Sequence, residues 1–174
     1  MIEVIVALFI LSLAVIGSFI LIQQTLIGAS ANQMRLTASY LGQEGLEIVR
    51  NIRDTNWLKE QAWTMNLAVN GGAREADYQS TALENNDRYL KISTDGFYNY
   101  NSGTDTTFKR KIFVTQEACG SYTAKENCEA HEGCYWSGNY CEGYLKVRVR
   151  IEWQERGKDY SLEVIDFLYN WYVI

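Results

Sequence analysis

The chain has 174 residues, 47% of them hydrophobic and 21% charged, and its 16 basic and 21 acidic residues leave a net charge of −5. That balance excludes binding of nucleic acid or anionic lipid by bulk charge, and an aromatic content of 13% excludes a disordered chain. A single histidine, His131, excludes hydrolytic or metal chemistry built on imidazole pairs.

The charge is unevenly spread. Residues 1–53 hold three acids (Glu3, Glu44, Glu47) and three bases (Arg35, Arg50, Arg53), so the whole net charge falls in 54–174. Residues 4–22 are uncharged and are interrupted only by Ser12, Gly17 and Ser18. As a helix this run spans ~28 Å, close to the ~30 Å hydrocarbon thickness of a bilayer. Three readings compete. A secretory signal peptide has a cleavage-like site in Ala29-Ser30-Ala31, but the run is too long and its preceding flank carries an acid. A plain transmembrane anchor fits the length, yet an unpaired carboxylate at Glu3 would cost several kcal/mol in lipid. The third reading makes the run the first half of a longer helix. Met34, Ala38, Leu41, Gly45, Ile48 and Ile52 recur at helical spacing, with Arg35, Ser39, Gln43, Glu47 and Arg50 off that stripe. Arg53-Asp54-Thr55-Asn56 reads as the exit, giving a helical domain over 1–53 whose hydrophobic segment is 4–22. Soluble cores do not need such a helix. A lateral assembly does.

The remainder, 54–174, reads as one β head without repeats. Tyr89-Leu90-Lys91-Ile92-Ser93 alternates, and Thr106 to Gln116 carries Phe108, Ile112 and Val114 at strand spacing. Lys146 to Trp153 puts Val147, Val149, Ile151 and Trp153 on one face and Lys146, Arg148, Arg150 and Glu152 on the other. Glu155-Arg156-Gly157-Lys158 turns into Tyr160-Ser161-Leu162-Glu163-Val164, completing a hairpin. The sum predicts an α+β fold: a long N-terminal helix packed by its stripe on an antiparallel meander of about five or six strands. Lys109-Arg110-Lys111 with Lys146, Arg148 and Arg150 would make a basic patch for DNA. Glu152, Glu155 and Asp159 interrupt it, which favours a solvated sheet face with cross-strand ion pairs.

Cys119, Cys128, Cys134 and Cys141 lie close together in a segment, 117–142, inserted between two strands. No knuckle of the short spacing that zinc favours is present, and a catalytic Cys–His pair with His131 has no recognisable orienting group. An even cysteine count in an exported chain reads as two disulfides, with three pairings open. Glu117, Glu126, Glu129, Glu132 and Glu142 against Lys125 give the segment a charge of −4. Tyr122, Tyr135, Trp136 and Tyr140 add aromatic surface, so the insertion reads as an exposed knob.

Ile2-Glu3-Val4-Ile5-Val6-Ala7-Leu8-Phe9-Ile10-Leu11 resembles the start of mature type IV pilins and pseudopilins, which run from a cleaved bond through Ile-Glu-Val into a hydrophobic helix. Leu41 to Trp57 resembles the stalk-to-head junction of a subset of that family ending in a Leu-x-Asn-Trp tail, here Leu168 to Trp171. In the family the glutamate stands four residues after the first mature residue. Glu3 stands two after Met1, which aligns Met1 with the third mature position. The family's basic leader, the glycine before the cut and the first two mature residues have no counterpart here.

The resemblance implies a pilin fold and a structural role: a subunit of a type IV pilus or pilus-like filament, not an enzyme, with no cofactor, metal or nucleic acid. It implies partners that are further copies of the chain, a prepilin peptidase, the inner-membrane assembly machinery, and the membrane that holds 4–22 before assembly. N-methylation and a cell-surface location follow, with adhesion to a surface or host-cell target open to the knob. Glu3 would offset the amino terminus of a neighbouring subunit, and Val4, Val6, Leu8, Ile10, Leu11 and Leu13 would fill lipid first and neighbouring helices later. Many bacterial pilins unwind at a proline in this stretch. The chain has no proline, and Gly17 reads equally as a weak point and as an ordinary membrane-helix glycine. A minor pilin, a secretion pseudopilin and a membrane-anchored binding protein using the knob are the alternatives. Gly133-Cys134-Tyr135-Trp136 resembles small extracellular Cys modules with interlocked pairing, which implies Cys119–Cys134 with Cys128–Cys141.

Overall fold

The computed structural model describes residues 2–116, 119, 124–130, 134–137 and 140–170. It is an α+β structure with a long N-terminal helix, α1 (Ile2–Leu58), and antiparallel strands. The chain divides into two compact units, Met1–Thr37 and Ala38–Ile174, so the second half of α1 belongs to the head.

Within the head, α1 buries Ala38, Leu41, Ile48, Val49 and Ile52. They face the main sheet, β4 (Phe108–Gln116), β7 (Leu145–Glu155) and β8 (Lys158–Leu168), in the order β4-β7-β8. Alternation decides which residues point inward: Phe108, Ile112 and Val114 on β4, and Leu145, Val147, Val149, Ile151 and Trp153 on β7, are all buried. Two glycines allow helix and sheet to approach. A Cβ at Gly45 would lie 2.8 Å from Val149 Cγ1, and one at Gly42 would lie 2.7 Å from Val164 Cγ2. Gly45→Ala should therefore destabilise the head by about 1–3 kcal/mol through overpacking, read as a lower urea midpoint with unchanged slope. Unchanged stability would show that the interface relaxes freely.

The helix does not leave at Arg53-Asp54. It continues to Leu58 because Arg53, Asn56 and Trp57 are themselves buried, with the Arg53 guanidinium 4.6 Å above the Trp57 ring. It ends in a Schellman arrangement: the Gln61 amide donates to Asn56 O (2.9 Å) and the Glu60 amide to Trp57 O (3.0 Å), with Glu60 at φ 54°. Asn56 Nδ2 also donates to Met65 O (2.7 Å), fixing the outgoing chain.

The expected single meander is divided. Strands β1 (Lys91–Ile92), β2 (Tyr98–Asn99) and β3 (Thr104–Asp105) form a separate small sheet in the order β2-β1-β3. Gly96 (φ +85°) and Gly103 (φ +122°) turn the chain too soon for longer pairing, and a Cβ at Gly103 would lie 2.2 Å from Ile92 O. The β7–β8 hairpin turns at Arg156 and Gly157, both with positive φ, as a two-residue hairpin loop of type I′ requires.

Arg110 corrects the basic-patch reading. It stands on the inward face of β4 with its side chain fully buried, donating Nη1 to Leu41 O (3.2 Å) and pairing with Glu44 Oε2 at 3.1 Å. Its Nε and Nη2 have no hydrogen-bond partner among the described residues. Alongside, the buried Tyr100 hydroxyl reaches Arg110 O at 3.5 Å, and Asp77 Oδ2 accepts from the Tyr100 amide. Burial pushes the Tyr100 phenol up to about 12 from an ordinary value of 10.0. Unfolded chains therefore release this proton near pH 10 while folded chains hold it, so stability present below pH 10 falls as pH rises toward 12. The loss is about 2–3 kcal/mol. Tyr100→Phe should flatten that alkaline limb when urea midpoints at pH 8 and 11 are compared; an equal loss in variant and parent would contradict the assignment.

Candidate assembly surface

Residues 2–29 of the N-terminal unit form one helix that is exposed along its length. Val4, Val6, Leu8, Ile10, Leu11 and Leu13 are 51–63% exposed, and nothing lies within 4 Å of where a Cβ at Gly17 would stand. An 18-residue window of this helix is long and apolar enough to cross a membrane and is 0% buried within the protein. Three hydroxyls of this helix are satisfied by its own backbone: Ser12 Oγ donates to Phe9 O (2.7 Å), Ser18 Oγ to Ala14 O (2.9 Å) and Thr25 Oγ1 to Leu21 O (2.9 Å). Returned to the helix's own carbonyls, these hydroxyls carry little cost in an apolar environment. Glu3 sits in the first turn, where the helix dipole favours an acid. It has no cationic partner among the described residues.

Of the residues assigned to helix–head packing, Ala38, Leu41, Gly45, Ile48 and Ile52 lie together under the main sheet. Met34 is partly exposed and belongs to the N-terminal unit. Arg50, off the stripe, reaches Asp166 of β8 at 2.6 Å, and that hydrogen bond raises its already high pKa. The two head segments that carry the resemblance meet where Trp57 Nε1 donates to Asn170 Oδ1 (3.0 Å). Trp171 lies outside the described residues.

The insertion holds two disulfides, Cys119–Cys134 and Cys128–Cys141. The second ties a one-turn helix, α2 (Lys125–Glu129), to the β5 (Tyr135–Ser137)–β6 (Tyr140–Glu142) hairpin. Sulfurs of Cys119, Cys134 and Cys141 lie within 4.8 Å of one another because the two bridges are adjacent. All four cysteines are spent in S–S bonds, so none of them offers a thiolate. Glu126 and Glu129 are exposed, whereas Glu117, Tyr122, His131 and Glu132 lie outside the described residues. With sequence separations of 15 and 13, each bridge should contribute roughly 2–3 kcal/mol. Intact exported protein should show no free thiols before reduction and four after it; four free thiols without reductant would refute the pairing.

The cations of the outward sheet face are mostly paired: Lys109 with Asp87 (2.8 Å), Lys111 with Glu152 (2.8 Å) and Arg150 with Glu163 (2.6 Å). The Lys109 hydrogen bond holds the Asp87 carboxyl below its ordinary range. Sequence reading overlooked the buried polar groups at Glu75, Asp77 and Arg110, and the partly exposed Glu44 that pairs with Arg110. Strand alternation through Phe108, Ile112 and Val114 was the one available signal, since it turns Arg110 inward.

No protein-family model, curated protein or solved structure matches the chain.

Proposed function

We propose that the chain is a structural subunit of a type IV pilus-like extracellular filament, held in the membrane by residues 4–22 before assembly and polymerised through the same residues. The observation that carries this reading is the N-terminal helix itself. Its apolar side chains are exposed all round, its hydroxyls are internally satisfied, and a single acid stands at its start. A lone membrane anchor needs the apolar surface but has no use for Glu3, whose unpaired charge lipid would penalise. Stacked copies use both: apolar faces fill one another, and the acid meets the amino terminus of the next copy. The helix stripe from Ala38 to Ile52 then fixes a folded head to each apolar stalk. Prepilin peptidase, N-methylation and an inner-membrane assembly machine belong to this reading by resemblance.

The experiment compares the full chain with a head cut after Gln24. The full chain should be shed as fibres and the truncated head should be soluble and monomeric at micromolar concentration. Stable oligomers of the cut head would contradict assembly through the apolar half. The second reading, a membrane-anchored binding protein, rests on the disulfide-stabilised insertion and predicts a full chain that stays in the membrane without polymerising.

A further inference from the structure

The outward face of the main sheet is balanced at one end and not at the other. Toward the β7–β8 turn, Lys109, Lys111 and Arg150 each have an acid. Toward the insertion, neither Lys146 nor Arg148 has an acidic partner among the described residues; Arg148 lies 4.6 Å over the Phe113 ring instead. In register, Arg148 is opposite Ile165 and Lys146 opposite Phe167, and those apolar side chains are 47% and 46% exposed. Tyr144 packs edge-on against Phe167 at 5.1 Å, extending an apolar surface that carries these two cations. This face also ends at β8, the outermost strand of its sheet.

The insertion has the complementary character. Residues 117–142 carry five acids against one lysine. Glu126 has no cationic partner among the described residues, and Glu129 pairs only within its own turn, with Lys125 at 3.6 Å. Neither Glu126 nor Glu129 reaches Lys146 or Arg148 of its own chain.

We infer that the acidic insertion of one copy docks on the Lys146–Arg148–Phe167 face of the next. This rests on the filament reading and assigns to it the contact between heads. The two surfaces differ, so the contact is heterologous, and repeated head-to-tail it builds an open helical polymer when its rotation does not close a ring. Opposite charges across the contact also set its register and penalise like-charge alternatives. The aromatic rim supplies the apolar area that ion pairs at a wet surface lack.

Charge reversal with rescue in the full chain tests it. Lys146→Glu with Arg148→Glu should lower fibre yield at least tenfold at unchanged membrane level, and Glu126→Lys with Glu129→Lys should do the same. Combining all four should restore most of the yield. Full-yield fibres from the sheet-face variant would overturn the inference, whether that face then binds anionic vesicles, duplex DNA or nothing. Failure of the combination to rescue would overturn it as well. Parent fibres treated with a zero-length carbodiimide give a readout independent of folding of the variants: joined chains should contain a Lys146–Glu126 or Lys146–Glu129 link, and its absence counts against the contact while leaving the filament standing. A parent chain that forms no fibres defeats the filament reading and this inference with it.

Discussion

Glu3→Ala and Glu3→Gln should leave membrane insertion intact and reduce fibres at least tenfold. Insertion depends on the uncharged run 4–22, which neither substitution touches. Growth in the proposed filament depends on a carboxylate that has no partner inside its own chain among the described residues. A buried ion pair adds little net stability, but leaving one member unpaired costs ~3–5 kcal/mol, so the pair discriminates among registers more than it strengthens the right one. At ~1.4 kcal/mol per tenfold, losing that discrimination is ample to stop orderly addition. Membrane fractionation and counting of shed fibres separate the two effects. Normal fibres from the alanine variant at normal abundance would sink the pairing role.

The second large effect lies inside the head and is asymmetric. Glu44→Leu leaves the Arg110 guanidinium charged and fully buried, with Leu41 O as its one remaining partner among the described residues. Loss of stability should be about 3 kcal/mol, at the lower end for a broken buried pair because Glu44 is 32% exposed. Arg110→Met removes the charge, keeps the stem that packs beside Gly45, and strands only a half-exposed carboxylate that water can reach. It should cost under about 1.5 kcal/mol. Urea midpoints of the two variants on the isolated head decide it; equal losses, or the reverse order, would mean that Arg110 is held by packing and not by Glu44.

In the sequence Arg110 looks like a surface residue. It stands between Lys109 and Lys111, and a run of three bases looks like a solvated surface. Alternation places the middle one inward regardless of its charge, and it is tolerated there because Glu44 projects from the facing helix to meet it. The helix stripe and the β7 face were legible because both have an unbroken period: Ala38, Leu41, Gly45, Ile48 and Ile52 at helical spacing, and Val147, Val149, Ile151 and Trp153 at strand spacing. The point where α1 ends was not legible. Arg53 and Asn56 look like exit residues, yet packing and tertiary hydrogen bonds to the outgoing chain carry the helix on to Leu58. The stretch from 59 to 88 has no period to read. Its order comes from distant partners, as where Arg74 and Ile112 exchange backbone hydrogen bonds, and where buried Glu75 accepts from the Arg88 amide at 3.0 Å.

The assembly surface divides in the same way. Exposure of the run from Val4 to Ile22 follows from its composition, because a helix apolar on every side cannot be covered by one small head. The cysteines announce two bridges by number alone, whereas their pairing came from resemblance and is the one present in the structure, Cys119–Cys134 with Cys128–Cys141. That Lys146 and Arg148 have no acidic partner among the described residues could not be read from sequence, since Arg150, two residues on from Arg148, has an acid opposite it on β8 and they have Phe167 and Ile165.

In the proposed filament this helix is the polymerising element. Electron cryomicroscopy of fibres shed by cells expressing the full chain would show it. A uniform helical fibre of this chain is expected, with residues 4–22 of successive copies bundled along the axis and heads outside. A chain that remains a membrane-bound monomer, or fibres in which that helix lies away from the axis, would contradict it.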